Sequence, residues 1–513
     1  MEAIDRGKGI TDSERYLARL ADATFLDLWS YPNTFNDRQI NKSAAGKELC
    51  DLLVVCGEDV IIFSDKSIGW PSGDDVHLCW SRWFRRAVSK SVDQIRGAER
   101  WLRAHPDRIF LDTQCKQRLP IDLPAPDRVR VHGIAIALGA QEACSKYFED
   151  ADGSLMVMSD LIGPAHTDPS VMGYSPFMFG DVDPQGPFVH VFDETALDLV
   201  IFEMDTISDF VNYLVAREAA IRSRLIRWAP SEAEMLAAYL LTDLGDGEHG
   251  FPTAESIGGQ TGDSVNISHG QYQLYRASEE CRLKTEANEI SYAWDRLIQS
   301  FSGNLLAGTS VSVAGMVPEI SLAERALRTM ALEDRTSRRV LSEAFLGAFD
   351  EAERRGRDRF ARVIVPGEGG THDPECGYVF LILAYREPWI RAKGYDYYRE
   401  GRAATLRAYC EVALYDHRNF KRMLGIAVDA SERVTGVKGG SEDLMLVEIL
   451  EWTQEKEQEI ERLRKGAEIL VPGRLRRSKI GSAEYPPSSS GPNERGNRHE
   501  RRTARSKARK KGL

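Results

Sequence analysis

The sequence predicts an α/β unit in its N-terminal third, an α+β and helical region behind it, and a disordered basic tail. Three observations carry this prediction. Two short apolar runs, Leu52–Val55 and Val60–Phe63, flank a tight turn and read as a β-hairpin. Patterns of helical period lie on both sides of that hairpin. At residue 472 the composition turns to Pro, Ser, Gly and Arg/Lys.

The elements follow in order. Residues 12–29 read as a helix capped by Asp12 or Ser13, with Tyr16, Leu17, Leu20 and Ala23 at helical spacing. "YPNTFNDRQINKSAAG" reads as a loop, and the hairpin follows it. "HLCWSRWFRRAVSKSVDQIRGAERWL" is a long helix whose apolar stripe runs from Trp80 through Phe84, Val88 and Ile95 to Leu102. "DRIFLD" and "VRVHGIAIALG" read as strands, which completes an α/β unit around one small sheet. Beyond it, "SLMVMS", "FVHVFD" and "LDLVIFEM" read as strands and "ISDFVNYLVAREAAIRSRL" as a helix. Helices dominate 231–350. Two strands flank the Gly-rich loop "PGEGGTHDPECG", and helices are expected near 399–415 and 442–468.

A chain of 513 residues exceeds one ordinary core and should hold roughly two to four domains. The expected divisions are 1–150, 151–330, 331–471 and a tail over 472–513. The net charge is −11, but 472–513 alone carries 13 Lys/Arg against 3 Asp/Glu, leaving an acidic body of −21. Such a body does not coat nucleic acid uniformly. Its basic end, including Arg498, Arg501, Arg502 and Arg505, suits non-specific contact with DNA or RNA. The charged N-terminus has no apolar signal core, and no apolar run reaches membrane-spanning length. The eight cysteines show no CxxC or zinc-type spacing, so reduced thiols in a cytoplasmic protein are expected.

The hairpin carries the chemistry. Side chains two apart on a strand share a face. A two-residue turn at Gly57–Glu58 pairs Asp51 with Ser64, and one at Glu58–Asp59 pairs it with Lys66. Both put Asp51, Ser64 and Lys66 on one face. A three-residue loop instead sets Asp65 opposite Asp51. The runs are apolar on both faces, as in a fully covered hairpin. An acid and a lysine at the ends of such strands are costly unless paired or used.

The order of a helix, an Asp-bearing strand, a tight turn, an apolar strand ending in Ser64-Asp65-Lys66 and a helix bearing Gln94 resembles the PD-(D/E)XK superfamily, the restriction-endonuclease-like nucleases. The resemblance covers roughly residues 12–145. It implies a Mg²⁺-dependent nuclease acting on DNA or RNA in processing or defence. Asp51 would hold metal, Lys66 would position or stabilise the nucleophile, and Gln94 would support them. Ser64 departs from the pattern, because the family usually has Glu, Asp or Gln there. Glu48 or Asp65 could replace it, and Glu14 or Asp27 could match an additional acid on the first helix. A non-enzymatic nucleic-acid-binding or scaffold protein on a degenerate nuclease fold is the alternative, and Ser64 favours it.

Other groupings are weaker. Arg86 and Lys90 share a helical stripe with Gln94 and would face the phosphate backbone in a nuclease. Trp70, Trp80, Trp83 and Trp101 cluster around the same helix and read as core. Glu368, His372, Asp373, Glu375 and Cys376 lie in the Gly-rich loop. No Lys-Ser/Thr helix start follows it, which excludes a P-loop and leaves a hairpin loop.

Overall fold

Helix α1 (Asp12–Thr24) starts with a capping box, in which Thr11 accepts from the Glu14 amide and Glu14 reaches back to the cap. After it the chain forms strands β1 (Ser30–Asn36), β2 (Lys47–Cys56) and β3 (Asp59–Ser67) as an antiparallel meander. A helical crossover returns it to β4 (Arg130–Leu138), parallel to β3. The crossover consists of α2 (Val76–Phe84), a wider π turn at Arg85–Ser89 and α3 (Lys90–Ala104). Parallel neighbours need such a connection. The computed structural model describes residues 3–149, 153–245, 248–310, 319–367, 372–385, 392–432, 440–473, 476 and 478–487.

The sheet is completed by β7 (Val189–Phe192), parallel to β4, giving the order β1-β2-β3-β4-β7. Its last strand therefore comes from beyond the 1–150 segment expected to form the first unit. A second sheet, β11-β8-β5-β6, combines β5 (Met156–Ile162), β6 (Met178–Asp181), β8 (Ile226–Ala229) and β11 (Val265–Asn266). A short pair, β9 (Asp243–Gly245) and β10 (Glu248–His249), stands apart. The third sheet is β12 (Arg359–Ile364), β13 (Cys376–Leu383), β14 (Arg422–Asp429) and β15 (Glu442–Glu448) in sequential order. The chain is thus a mixed α/β protein. Among the described residues no helix is long and apolar enough to cross a membrane.

Leu52–Val55 and Val60–Phe63 are each at most 1% exposed, so the hairpin is covered on both faces as its composition requires. α1 lies on one side of it and α3 on the other. Trp80 and Trp83 are fully buried, whereas Trp70 and Trp101 are half-buried. All eight cysteines are free.

Several elements differ from the sequence reading. "SYPNTFN" is strand β1, not loop. It is the edge of the sheet, where Pro32 is tolerated because its missing N–H can face away from the ladder. "DRIFLD" forms only isolated bridges through Phe110, to Phe35 and Arg118. "ALDLVIFE" is a helix, with Ala196, Leu197, Val200 and Ile201 buried at helical spacing. A short apolar run does not distinguish strand from buried helix. The helix expected at 442–468 is β15 followed by a helix at Gln454–Ala467. The Gly-rich segment does link antiparallel β12 and β13, with Asp373 paired to Arg422 and Glu375 to Lys421. Glu368 lies outside the described residues.

The expectation of a disordered tail over 472–513 fails over Ser482–Tyr485. Arg339 donates to the Ser482 hydroxyl and the Ala483 carbonyl, each at 2.8 Å. Glu484 pairs with Lys284 at 2.6 Å and with His249 at 2.7 Å. His249, Lys284 and Ser482–Tyr485 line a cavity of about 2030 Å³ that Phe360–Val365 also line. Residues 488–513, with Arg498, Arg501, Arg502 and Arg505, lie outside the described residues.

Candidate functional site

The β2–β3 register decides which side chains meet. Cys56 pairs with Asp59 and Leu52 with Phe63, so the turn is Gly57–Glu58. Extending the register by one pair sets Asp51 across from Ser64, and the three-residue loop that would bring Asp65 opposite Asp51 is not formed. The ladder ends there because the Asp51 side chain takes over. Its Oδ2 accepts from the Asp65 amide at 2.5 Å and from Lys66 Nζ at 3.3 Å. From α3, Gln94 Nε2 reaches Asp51 Oδ1 at 3.5 Å, while Gln94 Oε1 accepts from the Ser64 hydroxyl at 2.9 Å. Asp51, Ser64, Lys66 and Gln94 therefore converge on the α3 face. Asp51 is 4% exposed and Ser64 is fully buried, and the Lys66 side chain keeps 29% of its surface in solvent.

The other carboxylates gather on the α1 face. Asn33 Nδ2 donates to Glu14 Oε2 at 3.0 Å and to Glu48 Oε1 at 3.1 Å, joining the two acids. Asp65 turns to the same side, beside Ser13 and within the field of Glu14. Its Oδ1 is buried and has no hydrogen-bond partner. Burial, then repulsion from Asp51, holds the Asp65 carboxyl above its ordinary pKa, with Ser13 working against the rise. Burial also raises Glu48, aided by the charges of Asp51 and Glu14 and opposed by the Asn33 hydrogen bond. Burial alone would raise Glu14 too. Hydrogen bonds from Asn33 and from the Ile10 and Thr11 amides outweigh it, so Glu14 stays below the usual range.

The remaining candidates are dispersed. Asp27 accepts from Ser302 at 2.7 Å and takes no part in this group. Arg86 and Lys90 are exposed on the helical crossover. Asn33 and Ser13 escaped the sequence reading. Asn33 sits in β1, which reads as loop, and Ser13 was weighed only as a helix cap. Among the described residues, no group of three or more His, Cys, Asp or Glu side chains is placed to hold a metal ion. The chemistry available is one buried carboxylate on the α3 face, a lysine that reaches solvent, an amide and a hydroxyl, with a second carboxylate one residue away in sequence.

No protein-family model, curated protein or solved structure matches the chain.

Proposed function

We propose that residues 12–145 form a PD-(D/E)XK-like unit that hydrolyses phosphodiesters of DNA or RNA with Mg²⁺. The observation that carries this reading is the convergence of Asp51, Lys66 and Gln94 at the end of a hairpin covered on both faces. A buried acid and a lysine at that position need a partner or a use, and here they meet beside solvent.

The residues suit the cation. Mg²⁺ takes one or two carboxylates and fills its shell with water and phosphate oxygens. Asp51 is the hard donor on this face, while Asp65 turns to the α1 face and lends no ligand here. A cation bound there supplies a polarised phosphate oxygen and a water of lowered pKa. Lys66 sets a positive charge where negative charge develops on the phosphate. Gln94 orients the Asp51 carboxylate, and Ser64, by donating to Gln94 Oε1, keeps the amide nitrogen turned toward Asp51.

The test is cleavage of single- and double-stranded DNA and RNA by the full chain with Mg²⁺ or Mn²⁺. Asp51→Ala and Lys66→Ala should each reduce the rate at least about a hundredfold, with folding checked by circular dichroism. Wild-type protein that cleaves none of these substrates sinks the enzyme.

A second reading, a nucleic-acid-binding protein on a degenerate nuclease fold, is favoured by one specific observation. The Ser64 position, where the family usually has an acid, is closed by a hydrogen bond to Gln94. Binding without cleavage would select it.

A further inference from the structure

The C-terminal segment meets the body as a bound peptide meets its receptor. Among the described residues, no backbone–backbone hydrogen bond ties residues 478–487 to the rest of the chain. Side chains of the body hold the segment instead. Lys284 Nζ lies 2.6 Å from Glu484 Oε1, and His249 Nε2 lies 2.7 Å from Glu484 Oε2. Lys284 stands on the helix Glu279–Asn288 and is 9% exposed. Its Nζ also lies over the Tyr485 ring, whose hydroxyl donates to the Leu240 carbonyl at 3.4 Å. The segment lines a cavity of about 2030 Å³. That is more than the roughly 300–1,000 Å³ of a small-molecule pocket, so a ligand the size of a peptide has room.

The pocket offers more positive charge than this segment uses. Arg339, on the helix Arg335–Arg355, is 1% exposed. Its Nη1 donates to the Ser482 hydroxyl and the Ala483 carbonyl. Its Nη2 donates to Asn288 Oδ1 and, at 3.4 Å, to the Glu484 carbonyl. All four acceptors are neutral. Its Nε is buried and has no hydrogen-bond partner. The carboxylates of Glu484, Glu343 and Asp334 act on it through space, without an ion pair. Buried charges are ordinarily paired, because the desolvation cost is otherwise not offset. The counter-charge missing here belongs at the Ser482 position, where an oxygen already lies 2.8 Å from Nη1. An aspartate there carries its oxygens about one bond further, toward a guanidinium that carboxylates engage two nitrogens at a time.

We propose that this pocket is a docking site for an acidic segment of a partner protein, with carboxylates two residues apart and an aromatic residue directly after the second. Residues 482–485 are its displaceable occupant in cis. They supply the second carboxylate and the ring, through Glu484 and Tyr485, and leave the first position neutral. A partner that fills both charged positions satisfies Arg339 as well as Lys284 and displaces the tethered copy. The pocket shares no residue with the Asp51–Lys66 group and does not depend on its chemistry.

The experiment measures fluorescence anisotropy of labelled peptides against the full chain. One copies residues 478–487, SKIGSAEYPP, and a second, SKIGDAEYPP, has aspartate in place of the serine. In the wild type the tethered segment competes at an effective concentration of about a millimolar, so both should bind weakly. Glu484→Gln with Tyr485→Ala weakens the tethered copy, and each peptide should then bind about tenfold or more tighter than to the wild type. On that variant SKIGDAEYPP should bind about tenfold tighter than SKIGSAEYPP, the gain of one charge-assisted contact. Adding Arg339→Gln should erase the difference between the two peptides. SKIGSAQAPP, which lacks the acid and the ring, should not bind. Ser482→Asp in the otherwise wild-type chain tests the same contact without weakening the anchor. A glutamate-specific protease reaches the bond after Glu484 only when the segment is undocked, so Ser482→Asp should slow that cleavage about tenfold. Arg339→Gln should abolish the slowing. No binding to the double variant, shown to be folded by circular dichroism, overturns the docking site. Equal affinities of SKIGDAEYPP and SKIGSAEYPP for that variant overturn it too, as does cleavage that Ser482→Asp leaves unchanged or speeds. Wild-type chains that pair, and that excess peptide separates, would make a second copy the occupant and refute the foreign partner.

Discussion

At the scale of single residues, Ser64 is the informative one. Its hydroxyl is fully buried and donates to Gln94, so the position is satisfied without a charge. Ser64→Glu would add a carboxylate facing Asp51. Without a cation, two buried acids beside one lysine repel, and the variant should lose about 1–3 kcal/mol in urea unfolding with EDTA present. With Mg²⁺ the added acid becomes a ligand, so millimolar Mg²⁺ should restore the loss and stabilise the variant more than the wild type. A variant that is destabilised equally with and without Mg²⁺ would mean that this face does not take the cation. The readout is stability, so it stands apart from any cleavage assay.

At the scale of elements, the hairpin and the crossover determine what reaches the site, and two glycines show how tightly. Gly57 opens the β2–β3 turn with φ +66°, and an added Cβ would come no closer than 3.6 Å to Arg328. The Gly57→Ala penalty is therefore conformational, about 1–2 kcal/mol. Gly139, just past β4, has φ +101°, and its Cβ would stand 2.1 Å from the Ile68 carbonyl oxygen. That oxygen also accepts from Trp83, so the backbone has little room to yield. Gly139→Ala should cost clearly more than Gly57→Ala in urea unfolding, and the reverse order would refute this account of the strand ends. The same elements show what could be read from the chain. Strand parity put Ser64 and Lys66 on one face in every register and joined Asp51 to them under either two-residue turn, because side-chain direction alternates whatever the tertiary context. The choice of turn was not legible, since Leu52–Val55 and Val60–Phe63 are apolar on both faces and neither register buries more. β1 was hidden because Pro32 and its two Asn residues give no alternation, and its bulge at Thr34–Phe35 breaks the period further. With β1 unseen, the Asn33 bridge between Glu14 and Glu48 could not be found.

At the scale of the whole molecule, the acidic body holds its C-terminal segment by a buried polar anchor. Glu484 is set between Lys284 and His249, and Lys284 also lies over the Tyr485 ring at 5.1 Å. Removing the anchor strands a buried ammonium, which is why the pair should matter to stability well beyond a surface ion pair. The pH dependence follows from Glu484. Burial works to raise its carboxyl, but the His249 hydrogen bond and the Lys284 charge outweigh it, and the pKa falls from 4.5 to about 2. A carboxyl depressed in the folded state contributes stability above its unfolded pKa and loses it as pH falls toward the folded value. The contribution is about 3 kcal/mol at neutral pH. Glu484→Gln keeps the shape and removes the charge. Measured by urea unfolding, the variant should fall below the wild type by about that amount at pH 7. The gap should narrow between about pH 4.5 and pH 2 as the wild-type carboxyl takes up its proton. A gap that stays constant through that window would show that Glu484 acts by packing alone, and no gap at pH 7 would show that the segment is not anchored by its charge.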